Sequence, residues 1–195
     1  DVAMTTEVTT ENGTNVQVAG VGEGDIVKTD GDLLYVLSEA HLAVIQAADD
    51  EGTPLELLSL TRLRDERFVP SELYLHGHFV AVVGSVYDFR FLQAPTMDTK
   101  AANLRFMQVM PPARVGVRLY DVSDPENVVL VRSVDVEGTL VATRRIDNRL
   151  FVITRAYPAL DAVAETSRGE AGAGLVPRVA DSLIDADFHD IGARD

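Results

Sequence analysis

Three stretches of the chain repeat one plan: a short alternating strand, a tight turn, and a more apolar strand running back. They are DIVKTDGDLLYVLS (residues 25–38), SELYLHGHFVAVVG (71–84) and ATRRIDNRLFVITR (142–155). Apolar residues at every second position put one row of side chains on each face of an extended strand, a period no helix can bury. Between the two arms stand Asp30-Gly31, His76-Gly77 and Asp147-Asn148, dipeptides that tolerate the positive φ of a two-residue hairpin turn. The chain is therefore expected to be all-β, built from antiparallel hairpins.

Two further pairs of strand candidates follow the first two hairpins: 41–47 with 55–63, and 115–121 with 128–136. Four antiparallel strands per unit is the plan of a β-propeller blade. Gly31 and Gly77 lie about 46 residues apart. Gly77 and Asn148 lie about 71 apart, and removing an excursion of about 26 residues over 88–113 leaves about 45. Both values match the ~40–50 residue period of propeller repeats. The expected blades are 25–65, then 70–138 with the insertion 88–113, then an incomplete unit over 139–195. About two and a half blades are legible, and a propeller closes with at least about four. An open arc leaves edges and faces uncovered, so the native protein is expected to continue beyond Asp195.

The stretch TNVQVAGVGEGDIVKTDG (14–31) resembles the opening segment of a family of secreted bacterial and archaeal proteins with a C-terminal β-propeller domain, whose members read TNVQVAGVDEADIVKTDG. Gly22 stands where that pattern has Asp, and Gly24 where it has Ala, so a polar role for the missing carboxylate does not carry over. RLYDVSDPENVVLVRSVDVEG (118–138) resembles the strand-turn-strand unit of such repeats, D-V-S-D-P-x-x-P, with Val128 in place of the second proline. RLFVITRAYP (149–158) is similar to the family's third hairpin. The resemblance implies a propeller fold and a secreted or cell-surface location, and implies no activity. On this reading the chain is an N-terminal piece of the domain.

Composition bounds the function. The net charge of −14 excludes a nucleic-acid partner, since phosphate binding needs a clustered basic face. Lys28 and Lys100 are the only lysines among 17 basic residues, the Arg bias of a GC-rich genome or a saline habitat. There is no cysteine, hence no disulfide and no thiolate metal site. No apolar run reaches the ~20 residues of a spanning helix. The Thr- and Glu-rich residues 1–13 read as a disordered lead-in, and 159–174 as an inserted loop.

Candidate chemistry is sparse. Gly20, Gly22 and Gly24 lack G-x-G-x-x-G spacing and lead into a strand, so they read as turn formers. His76 and His78 flank a tight turn and are expected to point apart, short of a metal site. Ser85 lacks the G-x-S-x-G elbow of a serine nucleophile. Calcium is the one plausible cofactor, with Asp121, Ser123, Asp124 and Glu126 as oxygen ligands, or Glu23, Asp25 and Asp30. Phe89, Phe91, Phe106 and Met107 in the apolar insertion are candidate binding-loop residues, since long loops on rigid scaffolds carry function. The expected function is a binding or scaffold module for an extracellular protein or polysaccharide. The alternative is an extracellular hydrolase or lyase whose channel site is completed by further blades.

Overall fold

The structure, a computed structural model, describes residues 21–48, 52, 54–63, 67–87, 113–156 and 177–183, and the backbone of 185–190. The lead-in, the insertion and residues 157–176 lie outside these. In chain order the strands are β1 (Val21–Gly22), β2 (Val27–Thr29), β3 (Leu33–Leu37), β4 (His41–Gln46), β5 (Glu56–Arg62), β6 (Phe68–His76) and β7 (Phe79–Val86). They continue with β8 (Arg114–Asp121), β9 (Val129–Glu137), β10 (Thr139–Ile146), β11 (Arg149–Arg155), β12 (Arg178–Asp181) and β13 (Asp185–Asp190). The strands of the three expected hairpins and of the two expected pairs are all present within a residue or two of their ends. Strands β1, β12 and β13 lie outside those hairpins and pairs.

All pairings are antiparallel. A first sheet has the order β2-β3-β4-β5, a central sheet β6-β7-β8-β9 extended by β12 and β13, and a third β1-β10-β11. The hairpin turns centre one residue later than expected in the first two units: Thr29 pairs with Leu34, and His76 with Phe79. Gly31, Gly77 and Asp147 have φ of 112°, 55° and 51°, so each supplies the left-handed conformation where the chain reverses. In the first turn the reason for the shift is local. The Asp30 carboxylate accepts from the Asp32 and Leu33 amides and from the Tyr35 hydroxyl, which fixes Asp30 as the residue before the turn.

Strict alternation makes the central sheet apolar on both sides. Val80 and Val82 of β7 point to the first sheet, where they pack with Tyr35, Leu42, Val44 and Phe68. Val83, with Ala81 beside it, points the other way, toward Leu140, Leu150 and Val152 of the third sheet. Phe68 fits because Gly84 and Gly116 face each other across β7 and β8. A Cβ at either would stand within 3.0 Å of the Phe68 ring. Arg118 caps the ring, its guanidinium 4.7 Å from the centroid and bonded to Asp135 at 2.6 Å.

Each fully buried Val or Leu contributes roughly 1.5–3 kcal/mol, so these two cores hold the three sheets together. Leu42 and Val82 are completely inaccessible. Leu42→Ala should lower the unfolding free energy by about 2–4 kcal/mol in urea titration, with Leu34→Ala, on the opposite face of the same sheet, costing less than half as much.

Candidate functional site

The segment leading into the first sheet crosses the first strands of all three. Val21 and Gly22 pair with Ile146 and Arg145 of β10, Asp25 bridges Leu73 of β6, and Val27–Thr29 becomes β2. The bridge has both bonds, Asp25 N–H to Leu73 O at 3.3 Å and Leu73 N–H to Asp25 O at 2.7 Å. Gly22 and Gly24 alternate toward the strands beneath. A Cβ on Gly24 would lie 2.2 Å from Glu72 Oε2 and 2.9 Å from the Tyr74 hydroxyl, so the strap lies flat because it lacks side chains there.

Beneath it lies a polar cluster that sequence reasoning missed. Tyr74 Oη donates to Thr143 Oγ1 at 2.6 Å, Thr143 in turn donates to Glu72 Oε1, and the Gly24 backbone also bonds the Tyr74 oxygen. Arg145 lies 3.2 Å from His76 Nδ1 and donates to the Asp147 carbonyl at 2.7 Å. Above them Arg144 pairs with Glu23 at 3.2 Å, both exposed. The available signal was Thr143 and Arg145 falling in the core phase of β10, where alternation alone predicts apolar residues.

The residues singled out from sequence are placed as follows. His76 and His78 part, His76 toward Arg145 and His78 against the Phe79 ring at 4.3 Å. Asp121 ends β8, and Ser123, Asp124 and Glu126 lie in the loop that leads to β9. There Asp121 Oδ1 accepts the Ser123 amide at 2.9 Å and Asp124 Oδ1 accepts the Glu126 amide at 3.2 Å. Each carboxylate caps its own turn, and the Ser123 bonds hold the Asp121 carboxyl below its ordinary pKa. Of the other acidic set, Glu23 and Asp25 lie on the strap and Asp30 at the first turn. Among the described residues no group of three or more His, Cys, Asp or Glu is arranged to hold a metal ion. Ser85 lies within β7, its amide-bearing backbone paired with Val69 and Val115. Phe89, Phe91, Phe106 and Met107 lie outside the described residues.

Four-stranded antiparallel units stacked face to face, with their first strands side by side under one strap, are the arrangement of propeller blades. Residues 12–192 match the family model of the beta propeller domain. The chain belongs to that family. No curated protein and no solved structure matches it. Among the described residues the propeller is not closed: the third blade shows β10 and β11, and β12–β13 joins the outer edge of the second blade. That edge is held by two arginine–carboxylate forks. Arg178 bonds Glu137 at 2.6 and 3.0 Å, and Arg132 bonds both oxygens of Asp181.

Two outcomes test this arrangement. Gly24→Val should lift the strap, lowering stability by about 1–3 kcal/mol and speeding hydrogen exchange at the Leu73 amide; unchanged exchange would show that the strap does not need the glycine. Burial pushes the Tyr74 phenol above its ordinary pKa, and burial with the Asp30 carboxylate raises Tyr35 further. Because these folded-state values are raised, their contribution is complete below about pH 10 and is lost as pH rises through the folded values. In a 295 nm titration, two of the five tyrosines should ionise only with base unfolding.

Proposed function

We propose that this propeller is a binding or scaffold module of a secreted or cell-surface protein, with an extracellular protein or polysaccharide as its ligand. The observation that carries this reading is how the strap region spends its polar groups. Glu72, Thr143 and Tyr74 bond one another and the strap, and Arg145 bonds a turn and a histidine. Such groups hold first strands in place and stiffen the frame on which loops are displayed. No helix among the described residues is long and apolar enough to cross a membrane.

Ligand contact is assigned to the insertion 88–113 through Phe89, Phe91, Phe106 and Met107, and calcium, a cation that takes oxygen ligands, is tested at Asp121, Ser123, Asp124 and Glu126, whose carboxylates cap their own turns and do not converge as they stand. The test is a panel of polysaccharides and matrix proteins against the immobilised chain, with and without millimolar calcium. Saturable binding that falls at least tenfold in a variant with all four apolar residues changed to Ser, at unchanged melting temperature, supports the reading. Turnover of any polysaccharide in the panel, with a rate that scales with protein concentration, overturns it in favour of a hydrolase or lyase. A calcium-dependent rise in melting temperature that vanishes in Asp121→Asn places the ion in this loop.

A further inference from the structure

Two segments are added to the edges of the blades, and they are held in different ways. Strand β12 lies on β9 through two arginine–carboxylate forks whose carboxylates, on Glu137 and Asp181, are buried. The strap lies on β10 and β6 chiefly by its backbone. Val21 and Gly22 pair with Ile146 and Arg145, and Asp25 exchanges both of its main-chain bonds with Leu73. None of residues 21–26 is buried. The ion pair of Glu23 with Arg144 leaves both side chains more than half exposed, where such pairs contribute little. An extended segment that adds main-chain bonds to strand edges and buries no side chain is seated in the manner of a β-strand ligand.

The seat selects residue types at three successive positions. Gly22 and Gly24 lie toward the strands beneath, where a Cβ on Gly22 would stand 3.0 Å from Arg145 Nε and one on Gly24 would stand 2.9 Å from the Tyr74 hydroxyl. A larger residue at either has to displace a floor that is already bonded within itself. Tyr74 donates to Thr143, Thr143 to Glu72, and Arg145 to the Asp147 carbonyl, so the floor keeps its shape without the strap. Glu23, between the two glycines, alternates to the other side, and Arg144 meets it at 3.2 Å. The ligand this seat accepts is therefore an extended run of glycine, acidic residue, glycine. The strap is rooted at Ile26, whose carbonyl accepts the Leu37 amide at 2.7 Å, so residues 21–25 can lift while β2 stays in its sheet.

We propose that the edges of β6 and β10 form a peptide groove for a partner protein, filled by an extended glycine–acidic–glycine segment of that partner, with the strap as the resident competitor. The groove is separate from the insertion 88–113 and from the β8–β9 loop, and it stands whether or not either of those takes a ligand. A tethered competitor weakens the apparent affinity of a segment supplied in trans by the fraction of time the seat is open. Loosening the strap therefore turns the groove on.

The test is binding of a labelled, end-blocked peptide VGEGDIV, residues 21–27, to the full chain, with hydrogen exchange at the Leu73 amide followed in parallel. The parent is expected to bind it weakly, because its own strap fills the seat. In Gly24→Val the strap cannot lie flat; the peptide should bind about tenfold more tightly or better, and Leu73 exchange, sped by the substitution, should slow again at saturation. Arg144→Glu, at an exposed position, repels Glu23 and leaves the floor intact, so it keeps the test open where Gly24→Val fails to fold. It should prefer the peptide VGKGDIV to VGEGDIV by about threefold, the reverse of the parent's order. A peptide with valine at both glycine positions that binds as well as VGEGDIV overturns the proposal. So does peptide binding that leaves Leu73 exchange fast, or no binding to either variant. Parent chains that double in mass by light scattering, and return to single chains on adding the peptide, would assign the seat to the strap of a second copy and overturn a foreign partner.

Discussion

The central blade has to be apolar on both of its faces at once, and the rest of the molecule follows from that demand. A sheet with one wet face can follow a simple inside-outside alternation, but β7 reads Phe-Val-Ala-Val-Val-Gly-Ser-Val because both phases of its alternation are buried. Val80 and Val82 need the first blade, and Val83 needs the third. Neither neighbour is stable without the sheet between them, since an isolated hairpin or small sheet buries too little surface to offset its ordering entropy. Stability is accordingly shared between blades, as in other stacked repeats.

Close packing across that stack explains where the chain uses residues that alternation alone would not choose. The Gly84–Gly116 pair makes a shallow place for Phe68, and Arg118 covers the ring while Asp135 neutralises the charge. On the other side, Thr143 and Arg145 replace apolar residues where the third blade meets the strap. A buried hydroxyl is costly without a partner. Here Tyr74 and Glu72 complete its hydrogen bonds, so the substitution becomes a means of fixing two blades and an incoming segment in one register. The strap then works as a stitch across first strands that have no direct ladder to one another.

A stitched frame of this kind is suited to display. The strands of the central sheet are fixed by cores on both sides and by the forks at Glu137 and Asp181, while the longest excursions leave from strand ends, where length can change without disturbing the stack.

Much of this was legible in the amino-acid order. The period of two, the turns at Gly31, Gly77 and Asp147, and the ~45-residue spacing define the strands and the four-strand unit, because strand geometry and positive φ are local properties of the chain. The Thr14–Gly31 motif added the family. What the order could not determine is which faces meet. Thr143 lies about 70 residues from Glu72 and Tyr74 and shares no local pattern with them; stacking of blades brings them together. Likewise nothing in the sequence around Arg178–Asp181 says that this strand joins β9 and not β11. That choice rests on two buried carboxylates, Glu137 and Asp181, finding arginines on the facing strand, and tertiary packing alone supplies that match.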